Sequence, residues 1–547
     1  MEDHCKVLER VDLRFQSEKT YPFPFLEVKV LAEFQGPENQ HMVLHAFYDG
    51  KSTWVVRFVP TLAGRWSYQL KSFPADKGLC ASGEIIAERG ETREKGFLRA
   101  FPGKGWGLRF DDGEDLLVIG DTMYNLFGAA YCGVDIRKIL TRRKAQGQNL
   151  IRVKMNPTPF QQGCQYASWY NREAFPWAGS PEIPDYTAFR LDYFQAVDRI
   201  FQLFEDLDMG VELIVMPFGY ELPMTDRWHF LPELQELYVD YLVSRYDSFK
   251  SLYFWDVSNE YNLYALARME FSNGPREELI SARYAERIAG LIRKADGYRH
   301  PVGVHDTASG SKAVQPLKNR FSPWSGIDVL LFQSWGDMES RRGRDLCAGL
   351  EDAIQYHTAG NRMVTILAEY GYEGAGYWTD PEKVFGPAHT RRGAWRALMS
   401  GAHVITGYEN TSVTVIEENG DLPGIRYIRY LNQFFHTVIH FAEYRPADVL
   451  LQKLEKEKPR GEKALSLSTK DRSSSAVYLP AGGRVGVRGE KTPTLRAEWF
   501  DPMSGKLLKA EEEESFDGYL IFTSPGGKDE GGNGKDWTLL IRNSARP

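Results

Sequence analysis

The chain has 547 residues and a mass of 62.5 kDa, more than one hydrophobic core serves, so about two to four domains are expected. With 42% hydrophobic and 26% charged residues it has the composition of a globular protein, which excludes a disordered or fibrous chain. A net charge of −7 without a long basic block argues against nucleic acid, whose phosphates call for clustered Lys and Arg.

The opening residues, MEDHCKVLER, are charged and lack an apolar signal region, and no apolar run approaches the roughly 20 residues of a membrane span; a cytoplasmic location is expected. Cys5, Cys80, Cys132, Cys164 and Cys347 are scattered and odd in number, and read as reduced thiols. Residues 1–92 read as a small β-sandwich. Alternating segments rich in Val, Phe, Tyr and Trp cover 28–34, 42–48, 52–58 and 64–70, with turn residues such as Asp49-Gly50 between them.

Over residues 93–448 the pattern changes to strands alternating with helices, the mark of a parallel α/β fold. Strands are predicted at 116–120, 150–155, 211–216, 252–256, 301–305, 329–333, 363–368 and 404–406. Helices are predicted at 134–145, 193–207, 234–245, 280–293, 392–399 and 425–441, from apolar residues recurring at three and four. Eight such units suit a (β/α)8 barrel with long loops. The basic clusters Arg142-Arg143-Lys144 and Arg391-Arg392 read as solvated helix faces. The segment 156–190, with Trp169, Tyr170, Phe175 and Trp177, is too long for an ordinary connection and is expected to wall a site or to pack on the rim. Residues 449–547 return to short strands and Gly-rich turns, a second β-sandwich, in which 525–536 reads as a flexible hairpin loop and Glu511 to Glu514 as a solvated edge.

Two predicted strands end alike. The run LYFW leads into Asp256, Ser258, Asn259 and Glu260, and MVTIL into Ala368, Glu369 and Tyr370. Working groups of parallel barrels sit just past the carboxyl ends of strands, and a pair of glutamates there is the equipment of glycosidic cleavage: one acid to protonate the leaving oxygen, one carboxylate to attack or to activate water. Other strand ends carry Asp121, Arg152, His305, Gln333, Trp335, Tyr408 and Glu409, polar and aromatic groups fit for a sugar pocket.

"WDVSNE" resembles the acid/base strand of clan A retaining glycoside hydrolases, and "ILAEYG" their nucleophile strand; "VIGDTMYNLF" is similar to the opening barrel strand of their apiosidase-like group. "FYDG", "WVVRFVP" and "GRWSY" resemble the N-terminal sandwich, and "EWFDPMSGK" the C-terminal sandwich, that flank such barrels. The resemblance implies a retaining hydrolase with Glu369 as nucleophile, Glu260 as acid/base, Arg152 supporting the nucleophile and no cofactor. Many clan members hold the nucleophile with a Tyr after strand six and place a Trp after strand eight, where this chain has "FQSWGD" and "ITGYEN". The partner expected is a carbohydrate, with oligomeric state left open. A non-catalytic carbohydrate-binding protein and a transglycosylase are the competing readings.

Overall fold

A closed barrel of parallel strands forms the middle of the computed structural model, which describes residues 2–91, 94–157, 167–217, 221–264, 275–306, 325–333, 363–377, 380–415, 422–447, 451–452, 462–489 and 491–543. Its strands are β1 (Ile119–Thr122), β2 (Leu150–Lys154), β3 (Gly210–Met216), β4 (Leu252–Ser258), β5 (Val302–Asp306), β6 (Val329–Gln333), β7 (Val364–Glu369) and β8 (His403–Thr406). Each pairs in parallel with the next, and β8 returns to β1. All eight coincide with predicted strands. The first begins at Ile119 because Leu116 hydrogen-bonds back to Leu108 and the Val118 amide donates to Nδ1 of His403.

Alternate residues of the strands point inward, and they change character along the axis. Leu150, Phe254, Val329, Leu331, Val364, Ile366 and Ile405 form one apolar cluster, which the hairpin Leu98–Ala100/Leu108–Phe110 joins through Leu98, Leu108 and Phe110. Toward the carboxyl ends the same faces carry Arg152, Glu212, Asp256, His305 and Gln333, all buried. One end of the barrel is therefore a packed core and the other a buried polar chamber.

The helices α1 (Ile136–Ala145), α2 (Leu191–Asp206), α3 (Pro232–Tyr246), α4 (Pro275–Ala295), α5 (Pro387–Met399) and α6 (Ile425–Gln433) lie between and after the strands. Pro232 and Pro387 sit at the first helical turn, where a missing N–H costs nothing, so α3 and α5 start ahead of their apolar periodicity. The helix predicted to reach 441 stops short: after α6 a single π turn, Phe434–Val438, gives way to extended backbone at Ile439. That turn seats Phe434 and Phe435 against Trp395, with ring centroids 4.9 and 5.8 Å away.

Sheets that are antiparallel, apart from the parallel pairing of Glu2–Lys6 with Ala81–Glu88, flank the barrel at both ends of the chain. The N-terminal part has a five-stranded sheet, ordered Glu2–Lys6, Ala81–Glu88, Gly64–Phe73, Lys29–Gln35, His41–His45, and a three-stranded one of Val11–Gln16, Thr53–Phe58 and Phe47–Tyr48. Phe34, Trp54, Phe58 and Trp66 lie in its core, with Phe34 and Phe58 stacked at 4.1 Å. The C-terminal part has a six-stranded sheet running from Tyr444–Pro446 to Leu507–Lys509 and a four-stranded one containing Arg484–Arg488 and Tyr519–Thr523.

Buried arginines tie both flanks to the barrel helices. Arg57 of the N-terminal sheet and Arg245 of α3 each take both oxygens of Asp198 on α2, at 2.7–3.1 Å. On the other side Arg391 of α5 chelates Asp536 at 2.8–3.1 Å and bonds Glu530, while Arg392 reaches Asp529 at 2.7 Å. Two sequence readings are thereby corrected. Arg391 is a buried clamp and not a solvated face, and the Gly-rich segment 525–536 is pinned by two arginines because its acids outbid its glycines. Arg143 is likewise buried, for a reason given below. Removing one partner of a buried charge pair strands the other, so Arg391→Ala should cost about 3–5 kcal/mol in urea unfolding, and the pair Arg391→Met with Asp536→Leu should recover most of it. A loss below about 1 kcal/mol for the single variant would show the clamp to be ornamental.

Candidate active site

Arg152 points into the barrel from β2, fully buried, and its guanidinium is divided among four strands or strand ends. Nε donates to Glu212 of β3 at 3.1 Å, one Nη to Glu369 at the end of β7 at 2.7 Å and to the Tyr124 hydroxyl at 2.8 Å, and the other Nη to Oδ1 of Asn259. Tyr124 lies just after β1 and donates its own O–H to the same Glu369 oxygen at 2.5 Å. Burial holds the Tyr124 phenol well above its ordinary pKa, so it remains a donor. Tyr372, 3.0 Å from Tyr124, is buried and kept protonated in the same way. Tyr372 reaches this place because Gly407 follows β8: a Cβ there would sit 2.1 Å from the Tyr372 ring.

Strand alternation alone would turn Glu369 away from this chamber, since Ile366 and Ala368 already face inward. The register shifts between Phe332 and Gln333, pairing Gln333 with Glu369 and leaving Ala368 without an opposite number, and this bulge re-aims the glutamate. Glu260 arrives by another device. It follows β4 in the left-handed region (φ 52°, ψ 50°), an uncommon conformation for a non-glycine residue and one concentrated at functional sites. Its Oε1 accepts from Nε2 of Gln333 at 2.8 Å, and its amide donates to Nδ1 of His305 at 3.2 Å.

His305 connects the two acids. Burial first, and the nearby Arg152 second, push its pKa well below the ordinary value, so the ring is neutral. Because Nδ1 accepts, the proton sits on Nε2, which points at Glu369 Oε1 from 3.7 Å. Glu369 is 4% exposed and Glu260 partly exposed, so the second acid is the more open to solvent.

Of the residues picked from sequence, Glu260, Glu369, Arg152, Asn259, His305 and Gln333 converge here. Asp121 and Tyr408 do not: Asp121 is paired at 2.6 Å with Arg143 of α1, and the Arg143 guanidinium lies 5.5 Å above the Tyr408 ring. Both are strand-end residues of the parity that faces the helices, which also explains why Arg143 is buried. Glu409 is exposed on the next turn, and Trp335 lies outside the described residues. The segment 156–190 divides. Phe175 and Trp177 pack inward, Trp177 4.9 Å from Tyr238, whereas Trp169 and Tyr170 lean on the cluster holding Tyr124 and Tyr372. Tyr124, Tyr372 and Glu212 were missed; the tyrosines were visible only as aromatics near strand ends. Among the described residues no group of His, Cys, Asp or Glu is arranged to hold a metal ion.

Residues 4–73 match a domain of unknown function, and residues 451–542 a family described as "Putative collagen-binding domain of a collagenase". No curated protein matches the chain. Among solved structures, one described as a "putative glycoside hydrolase" from Bacteroides vulgatus shares 17% identity with a TM-score of 0.69, covering 99% of this chain and 100% of that one. A family 5 glycoside hydrolase from the same organism shares 16% with a TM-score of 0.60, covering 84% and 96%. These likenesses support the fold. Residues 104–441, well over half of the chain, match the family described as "Apiosidase-like, catalytic domain", and the chain therefore belongs to the apiosidase-like family and is a glycoside hydrolase.

Proposed function

We propose that the enzyme cleaves an O-glycosidic bond of an oligo- or polysaccharide with retention of configuration, Glu369 acting as nucleophile and Glu260 as acid/base. The observation that carries this reading is the unequal setting of the two acids. One oxygen of Glu369 receives a guanidinium N–H and a phenol O–H at 2.7 and 2.5 Å, donors that hold the side chain in one place as an attacking group must be held. Glu260 receives an amide N–H from Gln333 at 2.8 Å on one oxygen, and it is the more exposed of the two acids. An acid that must gain and lose a proton in each turnover suits that place.

In the first step Glu369 attacks the anomeric carbon while Glu260 protonates the departing glycosidic oxygen, giving a glycosyl ester on Glu369 and a free alcohol. Water then enters, Glu260 removes its proton, and the ester bond breaks to regenerate the carboxylate. Asn259 fits the sugar beside this bond. Its Oδ1 is taken by Arg152, while Nδ2 is buried with no acceptor among the described residues, a donor waiting for a substrate hydroxyl. Trp169 and Tyr170 offer faces for the next sugar.

Glu369→Ala should lose at least about 10³-fold in kcat on every substrate. Added azide should restore turnover with inverted product, read by NMR of the anomers. Glu260→Ala should behave otherwise: natural substrates fail at the first step, whereas an aryl glycoside with a good leaving group still gives a burst of phenol, after which the glycosyl-enzyme accumulates and azide releases it with retained configuration. Inverted azide product from the Glu260 variant, with none from the Glu369 variant, would reverse the two roles.

A further inference from the structure

The connection from β3 to α3 joins the chamber to the rim of the barrel. At Glu221 it is fully buried, and both oxygens of that carboxylate accept from Nζ of Lys154, at 3.1 and 2.9 Å. Lys154 stands two residues past Arg152 on β2, so it shares the inward side, and its Nζ lies 5.1 Å from the centre of the Tyr124 ring. A second tie follows at once: Asn156 Nδ2 donates to the Leu222 carbonyl at 2.6 Å. Turns then carry the chain outward, the amides of Thr225, Asp226 and Phe230 donating to the carbonyls of Glu221, Pro223 and Asp226 at 2.9–3.1 Å. Met224 is buried, its sulfur 3.6 Å from the Tyr284 hydroxyl of α4. Phe230 is buried against the hairpin Trp177–Ser180/Ile183–Phe189, with the Trp177 and Tyr186 rings 5.9 and 5.0 Å away.

Trp228 stands between these anchors and is 81% exposed. A segment that buries Met224 and Phe230 holds its largest apolar ring out in water, with no ring or hydrogen-bond partner among the described residues. The residues around it, Thr225, Arg227 and His229, are exposed and polar, and Leu231 is the one exposed apolar neighbour within 221–231. One indole offers at most about 250 Å², against the roughly 800 Å² a side of a stable protein interface, so a small flat ligand fits it better than a second protein. A sugar ring is such a ligand, apolar on its C–H face and polar at its edge. The connection after a barrel strand lies at the same end as Glu260 and Glu369, and seven residues from Glu221 place Trp228 at most about 25 Å from the chamber wall. We propose that Trp228 is a remote platform of the active site, on which an outer sugar of a bound saccharide chain stacks while the chain is cleaved at the two glutamates. The Lys154–Glu221 pair fixes the root of the connection and so keeps platform and chamber in register. The proposal rests on the reading of the substrate as an oligo- or polysaccharide, and it holds whichever glutamate attacks.

A length series tests it. Wild type, Trp228→Ala and Trp228→Tyr are compared on xylan-, mannan-, glucan- and pectin-derived oligosaccharides, from disaccharide to hexasaccharide, using whichever series the wild type cleaves. For the hexasaccharide, Trp228→Ala should raise KM about threefold to tenfold with kcat held, because the lost contact is the same before and during reaction. The disaccharide, too short to reach the platform, should show no such rise. Trp228→Tyr keeps a ring face and should recover most of the loss. A KM that rises equally at every length, or stays put for the hexasaccharide, overturns the proposal. A changed sedimentation coefficient with KM unmoved overturns it too, and makes the indole a contact between copies of the chain. Cleavage of aryl monosaccharide glycosides with every oligosaccharide refused would instead sink the substrate reading, and the platform with it.

Discussion

The buried guanidinium of Arg152 is the constraint on which the chamber depends. A cation with no access to water is tolerated only where acids and carbonyl oxygens surround it, and a half-satisfied one would unfold the barrel's upper end. Glu212, Glu369, Asn259 and Tyr124 are the answer, drawn from β3, the end of β7, the end of β4 and the end of β1. The same contacts that make the arginine affordable bring Glu369 and, through Asn259, its neighbour Glu260 to one place. Stability and function are here one network, so a variant at Arg152 speaks to both at once.

Such a chamber needs a rigid wall, and the rest of the chain supplies it. The apolar cluster around Leu150, Phe254 and Leu331 closes one end of the barrel, so the polar end opens only toward the loops after the strands. Arginine clamps then hold the outer helices: Arg57 and Arg245 fix α2 and α3 through Asp198, and Arg391 fixes α5 through Asp536. Both clamps lie far along the sequence from their partners, and each replaces what would otherwise be a wet, sliding contact between a sheet and a helix layer.

Much of the barrel was legible in the sequence because a parallel strand buried on both faces leaves an apolar run, such as residues 252–255 of β4 and 329–332 of β6. Which side a strand-end residue faces was not legible. Asp121 and Arg152 look equivalent in the sequence, yet one turns to α1 and the other into the chamber, and the bulge that redirects Glu369 leaves no mark in residue type. Tyr124 escaped notice for a related reason: it holds Glu369 from just past β1, two strands round the barrel from β7 but 245 positions away in the chain. Arg391 and Arg143 were misread because a basic pair on a helix is usually solvated, and only their partners, Asp536 and Asp121, bury them.

The difference between the two glutamates follows from how each is presented. Glu369 belongs to a strand, so its backbone is held by neighbouring strands and its side chain can be wrapped by charged and phenolic donors before any substrate arrives. Glu260 stands one residue beyond Asn259 in a left-handed turn, anchored at its amide by His305 and at one oxygen by Gln333, and is partly exposed. A group that only attacks gains from being fixed and desolvated, whereas a group that exchanges protons with leaving oxygen and water must stay within reach of both. Strand end and turn therefore suit the two roles proposed for them, and His305, itself neutral, spans the two, with Nδ1 on the Glu260 amide and Nε2 3.7 Å from Glu369.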